Sequence, residues 1–381
     1  MARSSSINIF AFLSACLLYA IIGPYFLWGL IEFPYFIPFL SGLLSLIFLK
    51  FSEIKRYFAF YVFILFLLII YSLKANVSIG GFVVMSFSLI LPFAKTSFSQ
   101  RVFNYFVNIY TILISISAAV WIFVLLGVVP SIGTIEPTLK EHGYIIYPFV
   151  VKTNTLEFFR FNGLFDEPGV VGTFNAILLY ILGFKKNNWR IYPLFLSGLL
   201  SLSLFFFLCV ALYFIVANIE KINFKSFALF AILLGVFYIT TKDNELISST
   251  IWERLEWDSD SGSISGDNRL NEDANAIFER KKGTLDYWFG DSELQKHEES
   301  FKGSSSYKVV VMRGGMVFFL LYLLFFILLA RKYSGKRIPL IFLVLLIIVE
   351  YQRPWLFGTG YFFLFPYFAR SLGGQIRNLN T

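Results

Sequence analysis

The chain has 381 residues, of which 57% are hydrophobic and only 15% charged; its mean hydropathy is +0.71 and its formal net charge +8. A water-soluble globule carries about 25% charged residues, and 48 phenylalanines are too many for a soluble core of this length to hide, so soluble, fibrous and disordered classes are excluded. The two cysteines, Cys16 and Cys209, lie in apolar runs and the two histidines, His142 and His297, lie far apart, which argues against a disulfide framework or a cysteine- or histidine-rich metal site. The composition predicts an all-α polytopic membrane protein.

Crossing the hydrocarbon layer takes roughly 20 apolar residues. On that measure the N-terminal part, 1–129, holds five spans at 8–30, 33–49, 57–73, 77–94 and 102–129. The first follows Met1-Ala2-Arg3 without a clear small-residue cleavage site before Gly23-Pro24, so it reads as a retained anchor. After a first loop, 130–167, residues 168–241 hold spans 168–184 and 226–241 around the awkward stretch 191–218. As one helix those residues would measure about 42 Å, long for one crossing and short for two. A second loop, 242–308, follows, then spans 309–330, 338–352 and 355–369 and a tail, 370–381.

Charge decides the count. The connections Lys50/Lys55/Arg56, Lys95/Arg101, Lys185/Lys186/Arg190 and Arg331/Lys332/Lys336/Arg337 are basic, which predicts a cytoplasmic side for each. They all fall inside only if 191–218 crosses twice with a turn near Ser201-Leu202-Ser203. Twelve spans with both termini cytoplasmic result, with 17 of the 32 Lys/Arg inside and both long loops outside. The positive net charge is then an orientation signal and an attraction to anionic lipid, with no nucleic-acid partner implied. No internal repeat is apparent.

In the first loop the informative stretch is Arg160-Phe161-Asn162-Gly163-Leu164-Phe165-Asp166-Glu167-Pro168-Gly169-Val170-Val171-Gly172. Acidic residues before a proline are an ordinary helix start. Asp166 and Glu167 also sit where loop meets bilayer, where lost solvation would favour a base; capping and catalysis stand even. The second loop, with 15 acidic and 9 basic residues, reads as a folded subdomain. Ser265-Gly266-Asp267-Asn268 begins a helix, Leu270, Ala274 and Ile277 share one face, and Arg280-Lys281-Lys282-Gly283 ends it. Arg269 opposes the dipole of that helix; it either pairs with Glu272 or Asp273 or completes an anion cradle. Tyr287, Trp288 and Phe289 offer flat faces for sugar rings or for packing the loop on the bundle, with Tyr307 a further aromatic candidate. Asp258-Ser259-Asp260 has the spacing of a metal-held nucleotide motif, but its Ser/Gly-rich acidic setting reads as solvated loop. Lys308, Arg313, Glu350 and Arg353 lie at outer span ends, Arg353 one turn from Glu350. Arginines such as Arg160, Arg269, Arg313 and Arg353 at one membrane face suit bidentate recognition of phosphate or carboxylate, although arginine near a helix end often only snorkels.

The segment Arg160–Gly172 resembles the R-F-x-G-x-F-x-E-P-G-x-x-G stretch of bacterial O-antigen polymerases of the Wzy type. Gly266-Asp-Asn-Arg269, Ser304-Ser-Ser-Tyr-Lys with Arg313-Gly-Gly, and Tyr351-Gln-Arg353-Pro354 are similar to that family too, in the same order. The resemblance implies an inner-membrane glycosyltransferase of the C-type superfamily, with two large periplasmic loops, acting on undecaprenyl-diphosphate-linked oligosaccharides as donor and acceptor. It also implies a chain-length-regulating co-polymerase (Wzz type) as a candidate partner. The related ligases, which pass glycan to lipid A-core, carry a histidine where this chain has Ser304-Ser305-Ser306, which favours a polymerase and leaves the base open. A lipid-linked oligosaccharide flippase ranks third, because transporters usually place charges near the midplane.

On that reading diphosphate needs only charge stabilisation as it leaves, a task for Arg160, Arg269 and Arg353 with Arg313 or Lys308. The acceptor hydroxyl needs a base: Asp166 or Glu167, with Glu350 behind them. Attack opposite the leaving group inverts the anomeric centre, and no metal or other cofactor is required. The polyprenyl tail is expected along the phenylalanine-rich spans, with 191–218 lining part of its groove.

Overall fold

The computed structural model describes residues 2–28, 36–48, 51–74, 96–135, 143–153, 160–185, 187–217, 238–244, 272–291, 306–334, 340–352 and 364–369, with scattered positions within 79–89 and 248–264. The fold is mostly helical, 76%. In chain order come α1 (Ala2–Ile21), α2 (Phe36–Leu46), α3 (Phe51–Lys74) and α4 (Thr96–Leu125). Strands β1 (Gly133–Ile135), β2 (Tyr144–Tyr147) and β3 (Val150–Thr153) precede α5 (Pro168–Leu182), α6 (Ile191–Leu200) and α7 (Leu204–Ala217). The pair β4 (Trp257–Asp258) and β5 (Ser263–Ile264) leads to α8 (Glu272–Lys281), α9 (Leu285–Phe289), α10 (Tyr307–Gly314), α11 (Met316–Ser334) and α12 (Leu340–Gln352).

Among the described residues three segments are long and apolar enough to cross a membrane, Tyr57–Lys74, Ser97–Leu125 and Met316–Tyr333, and shorter apolar helices accompany them. Helix α4 shows why a bilayer is the natural surrounding. One face buries Tyr110, Ile114 and Trp121, while Ile112, Ile116, Ile122 and Phe123 are exposed on the other. A helix apolar on every side is stable only in a large core or in lipid.

The breaks follow local chemistry. Helix α1 stops at Ile21, because Gly23 (φ 78°) turns the chain and Pro24 cannot continue it. Within the expected span 8–30, α1 extends only as far as Ile21. Span 309–330 is likewise two helices, separated at Gly315 (φ 91°). The stretch 191–218 does break at Ser201–Ser203, with Leu202 at φ 45°. Helices α6 and α7 have 10 and 14 residues, so they reach only about 15 and 21 Å, each short of the roughly 30 Å hydrocarbon layer. Spans 77–94, 226–241 and 355–369 lie largely outside the described residues.

The all-α expectation needs one amendment. The alternating aromatic and β-branched run Tyr144-Ile-Ile-Tyr pairs antiparallel with Val150–Thr153 and with Gly133–Ile135, giving a small three-stranded sheet in the first loop. Helix α5 is the centre of the bundle, with every residue from Gly169 to Ile181 buried. It packs on α6 and α7, while α1 packs on α4 and α3 on α11, and α12 meets α7, α10 and α11.

Candidate functional site

Residues 160–167 are not a surface loop; they are wedged into one end of the bundle. Helix α6 ends there with carbonyls that have no partner within the helix. Phe161 N donates to Leu200 O at 3.1 Å and Arg160 Nε to Ser201 O at 3.4 Å, so this segment caps α6 from a distant part of the chain. Arg160 is only 9% exposed. A guanidinium at a helix C-terminus is also favourable to the dipole, by about 0.3–1 kcal/mol.

Two aromatics anchor the wedge. Phe161 packs on Trp121 at 6.2 Å, and Phe165 stacks against Tyr110 at 6.2 Å and Phe174 at 6.5 Å. Gly163 sits at φ 58°, where a Cβ would come 2.8 Å from Ile114 Cδ1, so a larger residue is strained and crowded. Backbone bonds tie the wedge to its neighbours: Tyr25 N donates to Leu164 O and Val151 N to Gly163 O. At Gly172, one turn into α5, a Cβ would overlap the Ser203 side chain, which brings α5 against the α6–α7 turn.

The two candidate carboxylates emerge from the top of this wedge. Glu167 occupies the N-cap position of α5 but makes no side-chain cap bond, and Pro168 takes the first helical position. Its charge at this end still favours the helix dipole. Asp166 is half-buried and Glu167 exposed. Tyr144, on β2, is buried beside them: burial first, then the charges of Asp166 and Glu167, pushes its hydroxyl well above the ordinary tyrosine value of 10.0.

Glu350, near the end of α12, is only 1% exposed, and among the described residues neither of its carboxylate oxygens has a hydrogen-bond partner. An unpaired buried carboxylate is costly, by several kcal/mol for an ion, so a group kept there is a functional candidate by default. Next to it, Tyr351 stacks on Tyr307 at 5.1 Å, joining the end of α12 to the start of α10.

Lys308 and Arg313 lie on α10. Lys308 Nζ donates to Asn275 Oδ1 at 2.6 Å, lies 3.9 Å from Glu279 Oε1 and sits over the Phe278 ring at 5.3 Å. Its described contacts fasten α8 to α10. Ser306 is a buried N-cap accepting from Lys308 N at 3.2 Å. Arg313 is half-buried, and Asp291 N donates to Met312 O beside it at 2.8 Å. Tyr287 packs edge-on to Phe278 at 5.8 Å, whereas Trp288 is 43% exposed.

Two groups therefore emerge: Arg160, Asp166 and Glu167 around the α5–α6–α7 end, and Lys308, Arg313 and Tyr307 on α10. No described contact joins Arg160 directly to Arg313. Helix α12 packs on both α7 and α10, so Glu350 lies on the element between them. Arg269 and Arg353 lie outside the described residues. A polar chain that composition alone did not reveal crosses the bundle nearby: Tyr110 donates to Asn175 Oδ1 at 2.9 Å, and Asn175 Nδ2 to Ser197 Oγ at 2.8 Å. Asn175 inside an apolar run was its only sequence signal. Among the described residues no cluster of His, Cys, Asp and Glu could hold a metal ion.

No protein family, curated protein or solved structure matches this chain. The protein is a mostly helical membrane protein, and what its site does must be inferred from its own residues.

Proposed function

We propose that the protein is a polysaccharide polymerase of the O-antigen type, joining undecaprenyl-diphosphate-linked oligosaccharide units at the periplasmic face of the bacterial inner membrane. The twelve-span topology with cytoplasmic termini belongs to the same proposal. The observation that carries it is the wedge: a segment resembling the polymerase stretch holds a buried arginine at one end of the bundle, with two carboxylates beside it.

The chemistry divides among these groups. Arg160, with Arg269, Arg353 and Arg313, stabilises the charge that grows on the departing diphosphate as the anomeric C–O bond breaks. The acceptor hydroxyl forms the new C–O bond and gives its proton to a carboxylate, and the anomeric centre inverts. Asp166 and Glu167 are close to solvent; Glu350 is buried and unpartnered among the described residues, which makes it the stronger candidate for the base. A ligase is the second reading, but Ser304-Ser305-Ser306 stand in the stretch where the resemblance to ligases would ask for a histidine. A flippase is third.

The test uses the purified protein in liposomes with lipid-linked repeat units, read by gel for products of increasing length. Glu350→Gln keeps the shape and removes the group that would take the proton. Loss of roughly 10²–10⁴-fold in rate is expected for a missing general base. Wild-type rates from Glu350→Gln would return the base to Asp166 or Glu167, and no elongation by the unaltered protein would remove the polymerase reading itself.

A further inference from the structure

Helix α9 presents its residues the wrong way round for water. Leu285, Trp288 and Phe289, spaced to share one face, are 77%, 43% and 56% exposed. Its other residues turn toward protein: Asp286 accepts from Lys281 Nζ at 2.6 Å, and the Tyr287 ring meets Phe278. Scattered apolar side chains on a surface are ordinary, but an apolar triad facing out while a carboxylate faces in is not.

The position of the helix says what covers it. A Cβ on Gly315 would overlap Trp288 O, and a Cβ on Gly290 would come 2.8 Å from Arg313 O. The end of α9 is thus pressed backbone to backbone against the residue that precedes α11. The candidate span Met316–Tyr333 begins at the next residue, and its outward strip starts at once with Val317, Leu320 and Leu324. Arg280 and Lys282 are exposed just before α9, while Arg331 and Lys332 mark the opposite end of α11.

We propose that α9 is an interfacial helix, its Leu285–Trp288–Phe289 face seated in the lipid headgroup and upper acyl layer at that end of α11. The face lies at the end of the span where its exposed apolar strip begins. Tryptophan belongs at this depth, with an apolar ring and a polar N–H, and exposed Arg280 can reach lipid phosphates, while Lys282 pairs with Glu279 at 3.3 Å. Trp288 is then a membrane anchor, not a sugar platform, and it holds the second loop down on the bilayer. This inference is independent of the polymerase reading.

The test places nitroxide labels at Leu285→Cys and Phe289→Cys in the full chain with Cys16 and Cys209 replaced by alanine, in liposomes of phosphatidylethanolamine and phosphatidylglycerol. Collision with oxygen is compared with collision with a water-soluble nickel chelate. Exposed Ala276 on α8, as Ala276→Cys, gives the water reference, and Leu324→Cys on α11 gives the lipid one. Ratios close to that of Leu324→Cys are expected. Ratios like that of Ala276→Cys would overturn the proposal, and so would protection from both reagents with spin–spin broadening, which marks a second copy. Should the cysteine-free chain not fold, a photo-reactive phenylalanine at position 288 of the otherwise native chain gives the same decision: lipid adducts support the anchor, and protein dimers or no adduct refute it.

Discussion

At Arg160 charge and shape can be varied separately. Lysine keeps a cation near the C-terminus of α6 but loses the planar fork that donates to Ser201 O and would grip a diphosphate. Arg160→Lys is expected to melt within about 1 kcal/mol of the parent, the scale of the helix-dipole contribution, yet to lose chain elongation. Arg160→Ala loses both. Thermal unfolding in detergent beside a glycan gel separates these outcomes, and an active Arg160→Lys would make the residue only a cap. Tyr144 sets a second expectation. Its fold favours the protonated phenol, so its contribution is fully present below pH 10 and is lost as pH rises through the higher folded value. Tyr144→Phe should therefore lose less stability than the parent between pH 8 and pH 11, measured by the same melting experiment; equal losses would contradict the burial of the Tyr144 hydroxyl on β2.

Glycines govern how the elements meet. Gly172→Ala would drive a Cβ into Ser203 and should destabilise the α5 contact by about 1–3 kcal/mol. Ser203→Gly should recover part of that loss, and a double-mutant cycle in thermal unfolding measures the coupling. Additive effects would contradict the close approach. Gly315→Ala meets backbone atoms and a positive φ together, so no neighbouring substitution should rescue it. Here the limits of sequence reading become physical. The break at Ser201–Ser203 was legible because 28 apolar residues fit neither one crossing nor two. The breaks at Gly23 and Gly315 were not, because a hydropathy window sums transfer energies and carries no backbone angle. The first-loop sheet escaped because its strands are three or four residues long. For Arg160 the residue type was legible but its burial was not, since the carbonyl it meets is 41 residues away.

On the scale of the whole molecule, hydropathy sufficed for a helical membrane protein, and the outward faces of α4 and α11 agree with a lipid surrounding. The site is built from three places: the wedge before α5, the end of α12 and the start of α10. The proposed function requires that these guanidinium and carboxylate groups, on elements that α12 joins, serve one lipid-linked substrate. That union, with chain elongation as its product, is the central claim. It is tested most directly by the lipopolysaccharide gel of a strain lacking this gene. Core carrying a single repeat unit, with the ladder above it gone, is the predicted pattern. An unchanged ladder, or loss of even the single repeat, would contradict it.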